Sequence, residues 1–205
     1  MAGVSSAPKH NPRDTLDRYY TNEVLAEAIV SELPESIGLD SRGIWEPHVG
    51  GGAFARAVLA RWPKARLRVS DIDPTSAALR DMGGDCADFL SLSPKSKPWL
   101  IIGNPPYGEA EAHVRHALEQ TRGHVVFLLR LAFLESAARV GFWASSPLRK
   151  VWVLAERPSF TSDGKTDSCA YMAAWWSHTY KGEPQIRPGW SWVHHRQPSL
   201  FGGAS

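Results

Sequence analysis

At 205 residues the chain can bury one full core and has no room for two large domains. Hydrophobic residues at 43% and charged residues at 21% exclude a disordered or fibrous class, and a net charge of +2 excludes a basic footprint spread over the whole surface. Cys86 and Cys169 are too few and too far apart for a disulfide framework and read as buried free thiols; with no apolar signal core and no run near 18 apolar residues, a soluble, cytoplasmic protein is expected.

Residues 1–13 are small, polar and proline-containing, and read as a disordered leader. Tyr19-Tyr20-Thr21-Asn22 then precedes Val24, Leu25, Ala28, Ile29 and Leu33, which recur at helical spacing. Thr21 or Asn22 is a natural N-cap, and Pro34 closes the helix. Gly43 to Glu46 predicts a short strand, which Gly50-Gly51-Gly52 turns into a helix over 53–61. Glycines at such a turn let the backbone approach a ligand at a helix N-terminus. A second strand, Leu67 to Ser70, ends in Asp71-Ile72-Asp73-Pro74. An acidic side chain at that tip can accept both hydroxyls of a ribose; Asp73-Pro74 reads as the cap of a helix over 75–82. A third short stretch, Gly84 to Ala87, leads into Asp88-Phe89.

The apolar run Trp99 to Ile102 predicts a buried strand that Gly103 and two prolines end abruptly. It delivers Asn104-Pro105-Pro106-Tyr107 to the C-terminal edge of the sheet, where open α/β sheets bind their ligands. The Asn104 amide oxygen and the Pro105 carbonyl are two acceptors held in one geometry by two residues of fixed φ. Such a pair suits an NH2 group, whose lone pair is otherwise delocalised into a π-system. Holding both hydrogens out of plane moves the nitrogen toward sp3 and frees the lone pair for an electrophile. Tyr107 adds a flat face for a planar substrate.

Residues 109–120 predict an amphipathic helix with His113 and His116 one turn apart; lacking a third ligand at matching spacing, they read as a solvated face. Val125 to Leu129 is wholly apolar and predicts a central strand covered on both faces, with Arg130 emerging at the same edge as Asn104. Leu131 to Trp143 reads as helix, Lys150 to Leu154 and Ser168 to Trp176 as strands, and residues 157–167 as the loop joining them. From Thr179 the chain is rich in Gly, Pro and Trp, and Trp190 and Trp192 can share one side of a strand or an extended arm. The expected division is a leader (1–13), a catalytic domain (14–180) and a C-terminal arm (181–205).

Asn104-Pro-Pro-Tyr107, together with Ala87-Asp88-Phe89-Leu90 and Glu46-Pro47-His48-Val49-Gly50-Gly51-Gly52-Ala53-Phe54, resembles the S-adenosylmethionine-dependent amino-methyltransferases. The likeness is to their adenine-N6 DNA methyltransferases, in the small phage-type form without a target-recognition domain. It runs from Tyr19 to Trp176 and implies an α/β, Rossmann-like methyltransferase fold: a mostly parallel seven-stranded sheet, helices on both faces and a reversed last strand. It further implies a cofactor site for S-adenosylmethionine made by Tyr20, Thr21, Glu46, Pro47, Gly50, Gly52, Asp71, Ile72, Asp88, Phe89 and Asn104. In the resembling enzymes Tyr-Tyr-Thr crosses the methionine end, with proline where this chain has Asn22. Asp71 then takes the ribose, Ile72 and Phe89 the adenine ring, and Asp88 its amino group.

The implied reaction is methyl transfer to the N6 amine of a DNA adenine flipped out of the stack, with Asn104, Pro105, Pro106 and Tyr107 as the catalytic corner and no metal. Tyr107 stacks on the base. Phe160 either stacks on its other face or is a plain apolar anchor. Arg130 meets a phosphate, or pairs with Glu135 or the cofactor carboxylate; Lys165 meets a phosphate or lies in a solvated turn. In the form without a recognition domain, the target site is either short and read by loops such as residues 157–167, or specificity is relaxed, or a partner supplies it. Gln197-Pro198-Ser199-Leu200-Phe201 resembles the peptide by which bacterial replication proteins dock on the sliding clamp, through Gln197, Leu200 and Phe201; otherwise the tail is a frayed end. The rival classes are an RNA adenine methyltransferase, with identical amine recognition, a cytosine-N4 or protein glutamine methyltransferase, and a cofactor-binding module without chemistry. Deleting residues 197–205 is expected to leave methyl transfer to short oligonucleotides unchanged; loss of folding, read by circular dichroism, would place the tail in the core.

Overall fold

Among the described residues eight segments form strands; the central ones are short apolar runs bounded at one end by glycine, and helices return the chain for most of the parallel pairings. The computed structural model describes residues 20–39, 42–160 and 168–193. The strands are β1 (Gly43–Glu46), β2 (Arg66–Asp71), β3 (Asp85–Cys86), β4 (Leu100–Gly103), β5 (His124–Arg130), β6 (Leu148–Leu154), β7 (Tyr171–Ser177) and β8 (Gln185–Trp190). They form one sheet in the order β3-β2-β1-β4-β5-β7-β6-β8. β7 is antiparallel to both its neighbours, and every other pairing is parallel. The anticipated seven strands with a reversed last one are β1 to β7, and β8 extends the sheet past β6.

The helices are α1 (Glu23–Ser31), α2 (Ala53–Arg61), α3 (Ala77–Met82), α4 (Ala110–Gln120) and α5 (Val140–Ser145). On one face Leu25 and Ile29 of α1 and Phe54 and Val58 of α2 pack with Ile44, Ile102, Val126 and Leu128. On the other, Val114 and Ala117 of α4 and Phe142 of α5 pack with Trp45, Ile101, Val125 and Phe127. Successive residues of β4 and β5 therefore serve opposite cores, which is why both strands read as unbroken apolar runs. Asn22 caps α1 by accepting from the Val24 N–H at 2.8 Å.

Four expectations need correction. Residues 131–143 do not form one helix: 3-10 turns over Leu131–Leu134 and Ala137–Arg139 precede α5, because Ser136 sits at φ 126° and caps the Ala138 N–H. The cap of α3 is Ser76, which accepts from the Leu79 N–H, while Asp73 accepts from Thr75 one turn earlier. Cys86 is exposed on the edge strand β3, and Cys169 is half-buried. Finally, packing continues beyond residue 180. Trp190 and Trp192, placed in the arm by sequence, are buried in the main core.

Glu32, just past α1, explains that last point. It accepts from the indole N–H groups of Trp152 (2.9 Å) and Trp190 (3.1 Å) and from the Arg187 guanidinium (2.8 Å), with Lys150 Nζ at 3.5 Å. Burial by itself raises this carboxyl; Trp152, Arg187, Lys150 and Trp190 together outweigh it and leave the pKa below the ordinary value. One side chain thus ties α1 to β6 and β8. Glu32→Ala strands these donors and is expected to cost about 2–4 kcal/mol in urea unfolding followed by tryptophan fluorescence. A loss below about 0.5 kcal/mol would mean that apolar contact alone holds β8.

Candidate active site

Parallel pairing sends the C-terminal ends of β1, β2 and β4 to one edge, and the turns leaving them enclose an open cleft of about 160 Å³. Tyr20, Pro47, Gly50, Asp71, Ile72, Asp88, Phe89 and Asn104 all line it, joined by Pro106. An adjoining hollow of about 20 Å³ shares Tyr20 and Gly50 and adds Thr21 and Glu46. Of the residues assigned to the cofactor by sequence, only Gly52 lines neither space. Its role is in the backbone: φ is +81°, and a Cβ there would stand 2.8 Å from Ala78 Cβ, so glycine lets α3 close on the turn.

The turn is clamped by Asp71, whose two oxygens accept from the N–H groups of Gly50 (2.7 Å) and Asp73 (2.9 Å). A carboxylate offers about four lone-pair positions, so about two remain for hydroxyls. Burial raises its pKa, opposed by the Asp73 and Gly50 N–H groups. Tyr20 lies along the glycines, close enough that a Cβ on Gly51 would stand 3.3 Å from its ring. Ile72 is 55% exposed, an apolar side chain left uncovered in the cleft. Glu46 is its opposite: buried, with Oε2 lacking a hydrogen-bond partner among the described residues. Burial pushes its pKa well up; the Ala55 N–H opposes this, the Asp71 charge adds to it and Arg56 opposes it. Such an oxygen costs free energy until a donor or a cation meets it.

At the end of β4, Asn104 and Pro106 are half-buried and Pro105 is buried, and Tyr107 opens the 3-10 turn Tyr107–Glu109. Tyr107 packs 5.5 Å from Tyr171 and 6.4 Å from Phe160, between ring centres. The Arg130 guanidinium lies 5.0 Å from the centre of its ring. Sequence reasoning left Phe160 either on the far face of a bound base or as a plain apolar anchor; here its ring meets Tyr107 edge to face at 62° and is buried against Tyr171 at 5.1 Å. Tyr19, Lys165, Gln197, Leu200 and Phe201 lie outside the described residues.

One pair was missed. His48 Nε2 and His113 Nδ1 are 2.8 Å apart in the floor of the cleft, one ring donating and the other accepting. Burial holds His48 well below its ordinary pKa, helped by His113, and takes His113 down to about 4, opposed by Asp88. Phe89 is stacked on His113, at 5.7 Å and 28°. His113 therefore does not belong to a solvated face: with Ala110, Val114 and Ala117 it forms the buried stripe of α4, a spacing present in the sequence. His116 also turns inward, its Nε2 2.9 Å from the Leu92 carbonyl. Among the described residues no three His, Cys, Asp or Glu side chains are grouped so as to hold a metal.

No protein-family model matches the chain, and no curated protein is similar to it by sequence. Solved structures are similar in fold. One, reported as a modification subunit of a type I restriction enzyme from Vibrio vulnificus, superposes with a TM-score of 0.64 at 11% identity, over 83% of this chain and 47% of its own. Another, reported as a class I S-adenosylmethionine-dependent methyltransferase from Listeria monocytogenes, gives 0.67 at 14% identity, over 88% and 68%. A third, reported as an RNA methyltransferase from Pyrococcus horikoshii, gives 0.63 at 14%, over 82% and 89%. The chain thus spans less than half of the Vibrio subunit. The fold is the Rossmann-like methyltransferase fold.

The neutral histidines have a consequence for pH. With His113 and the buried His124 both held down to about 4, the folded chain binds fewer protons than the unfolded one between pH 6.5 and about 4, so these groups cost stability as pH falls through that window. Glu46 and Asp71 act in the opposite sense, so a single variant isolates the effect. His113→Gln is expected to gain thermal stability relative to wild type as pH falls from 6.5 to 4; a difference in melting temperature independent of pH would contradict this.

Proposed function

We propose that the chain is an S-adenosylmethionine-dependent methyltransferase acting on the exocyclic N6 amine of adenine in DNA, with short or relaxed sequence specificity. The observation that carries this reading is the continuity of the cleft: Asn104 and Pro106 open into the same space as Gly50, Asp71 and Ile72. An amine-holding corner and a nucleoside-holding turn therefore share one volume.

The residues present fit the cofactor. The buried Glu46 oxygen without a partner suits a primary ammonium, and Tyr20 and Thr21 border the same hollow. The remaining lone pairs of Asp71 suit a ribose diol, exposed Ile72 and the Phe89 floor suit an adenine ring, and Asp88 suits its amino group. Bound there, S-adenosylmethionine supplies an electrophilic methyl group on a sulfonium.

The chain's own groups do the rest. Asn104 Oδ1 and the Pro105 carbonyl accept the two N–H bonds of the target amine and move its nitrogen toward sp3, and the prolines hold both acceptors still. Tyr107 supports the base on one face, with Arg130 behind it. Phe160, whose ring meets Tyr107 edge to face, is assigned to the other face. Flipping the base out of a duplex costs a few kcal/mol, least in single strands. We assign the tail bearing Gln197, Leu200 and Phe201 to clamp docking, a tether that raises local substrate concentration without reading sequence.

A second reading, adenine in RNA, rests on the Pyrococcus neighbour, most of whose length this chain matches. Incubation with labelled cofactor and, separately, duplex DNA, single-stranded DNA and RNA, followed by nucleoside digestion, distinguishes the two. Label is expected in N6-methyladenine from DNA; label in cytosine or in protein would overturn the assignment. Asn104→Ala is expected to lower turnover by about 10²-fold or more while cofactor affinity, read by calorimetry, is unchanged. A parallel loss of cofactor binding would assign Asn104 to the other half of the cleft.

A further inference from the structure

The cleft is acidic. Asp71, Asp73, Asp88 and Glu109 line it and no Lys or Arg does, so its rim offers little attraction to a phosphate backbone. Positive charge is gathered instead at the opposite edge of the sheet. There the starts of β1 and β2 and the segment leading into β4 border a groove of about 440 Å³. Arg42, Arg66, Arg68 and Lys97 line it with Trp45 and Trp99, and among the described residues no acidic side chain lines it. Arg68 is paired with Asp85 at its margin. The Lys97 ammonium reaches the Glu119 carbonyl, and Arg42 and Arg66 form no ion pair with another described residue.

The aromatic groups add direction to this charge. The Arg42 guanidinium carbon lies 3.8 Å from the centre of the Trp99 ring, and that of Arg68 4.4 Å from the centre of Trp45. Guanidinium groups laid over indole rings present flat cationic faces, on which an unpaired base can stack while neighbouring cations take its phosphates. A helical duplex shields its base faces; a single strand does not. Cations alone would serve any polyanion, whereas cations backed by rings favour nucleic acid over an acidic polypeptide.

We propose that this groove is a second nucleic-acid site, which holds a single strand by phosphate contacts and stacking at the edge of the sheet opposite the cleft. Strand β1 joins the two sites: Gly43 lines the groove and Pro47 the cleft, about 13 Å apart at about 3.3 Å per residue, with Trp45 between them. A strand long enough to occupy both is retained by the groove while a base is presented to the cleft. The inference does not depend on the reaction, because it concerns binding alone.

The test uses the full chain and a fluorescently labelled 30-nucleotide single strand, with anisotropy titrations over a range of salt. Arg42→Gln/Arg66→Gln/Lys97→Gln is expected to weaken binding by about tenfold or more near 0.1 M salt and to reduce the slope of log K against log salt by roughly 2, at about 0.7 per phosphate contact. Arg66→Gln alone, at an exposed site, is expected to reduce it by roughly 0.7 and guards against misfolding of the triple variant. Cofactor affinity of both variants should equal that of wild type. An unchanged slope in the single variant and a folded triple variant would overturn the proposal. So would displacement of the strand by polyglutamate as readily as by unlabelled oligonucleotide, which would mark the groove as a site for acidic protein.

Discussion

The structure depends on the parallel pairing of β1 with β4. Ile44 lies beside Leu100 and Trp45 beside Ile101, so both strands end at the same edge and in neighbouring positions. Each is followed by a turn that cannot continue the strand: three glycines after β1, two prolines after β4. The glycine turn brings bare backbone to the edge, and the proline turn brings two rigid acceptors. Neither makes a site alone. Side by side, they share one cleft, and Asp71 from the next strand clasps the glycine turn and keeps it open.

Electrostatics around that cleft follow from burial. Burial leaves one Glu46 oxygen without a hydrogen-bond partner among the described residues, and Asp71 is partly compensated by two N–H groups. The floor beneath them is apolar and neutral: Phe89 stacked on His113, and His113 bonded to a His48 that burial keeps uncharged. A site that holds anionic oxygens above uncharged rings suits a cationic, partly aromatic ligand, and its destabilised carboxyl is the part that ligand would relieve. The acidic cleft and the basic groove stand toward opposite ends of the strands that carry them. A net charge near zero concealed that polarity.

Most elements were legible because this sheet makes unusually explicit demands on sequence. β4 and β5 are buried on both faces and must be apolar throughout, and glycine or proline must end them. α2 opens at the glycine turn and needs no other signal. Legibility failed where tertiary contact overrode local pattern. β8 contains Gln185, Arg187, Pro188 and Gly189, with neither alternation nor a continuous apolar run, and Pro188 is tolerable only because β8 is an edge strand. It is ordered by Arg187 and Trp190 reaching Glu32, more than 150 residues earlier. Residues 131–143 have helical composition, and one residue at positive φ, Ser136, divides them.

What the sequence by itself determined is the order of strands and turns, and the chemistry at each turn: acceptors of fixed geometry after β4, bare backbone after β1, carboxylates after β2 and β3. These are local properties, set by φ restriction and by which groups a residue carries. Only the tertiary structure decided which of those groups meet. It joined His48 to His113, packed Phe160 on Tyr171, drew β8 into the sheet, and sorted charge between two edges. All four depend on contacts between residues distant in the chain, whose free energy no local window of sequence contains.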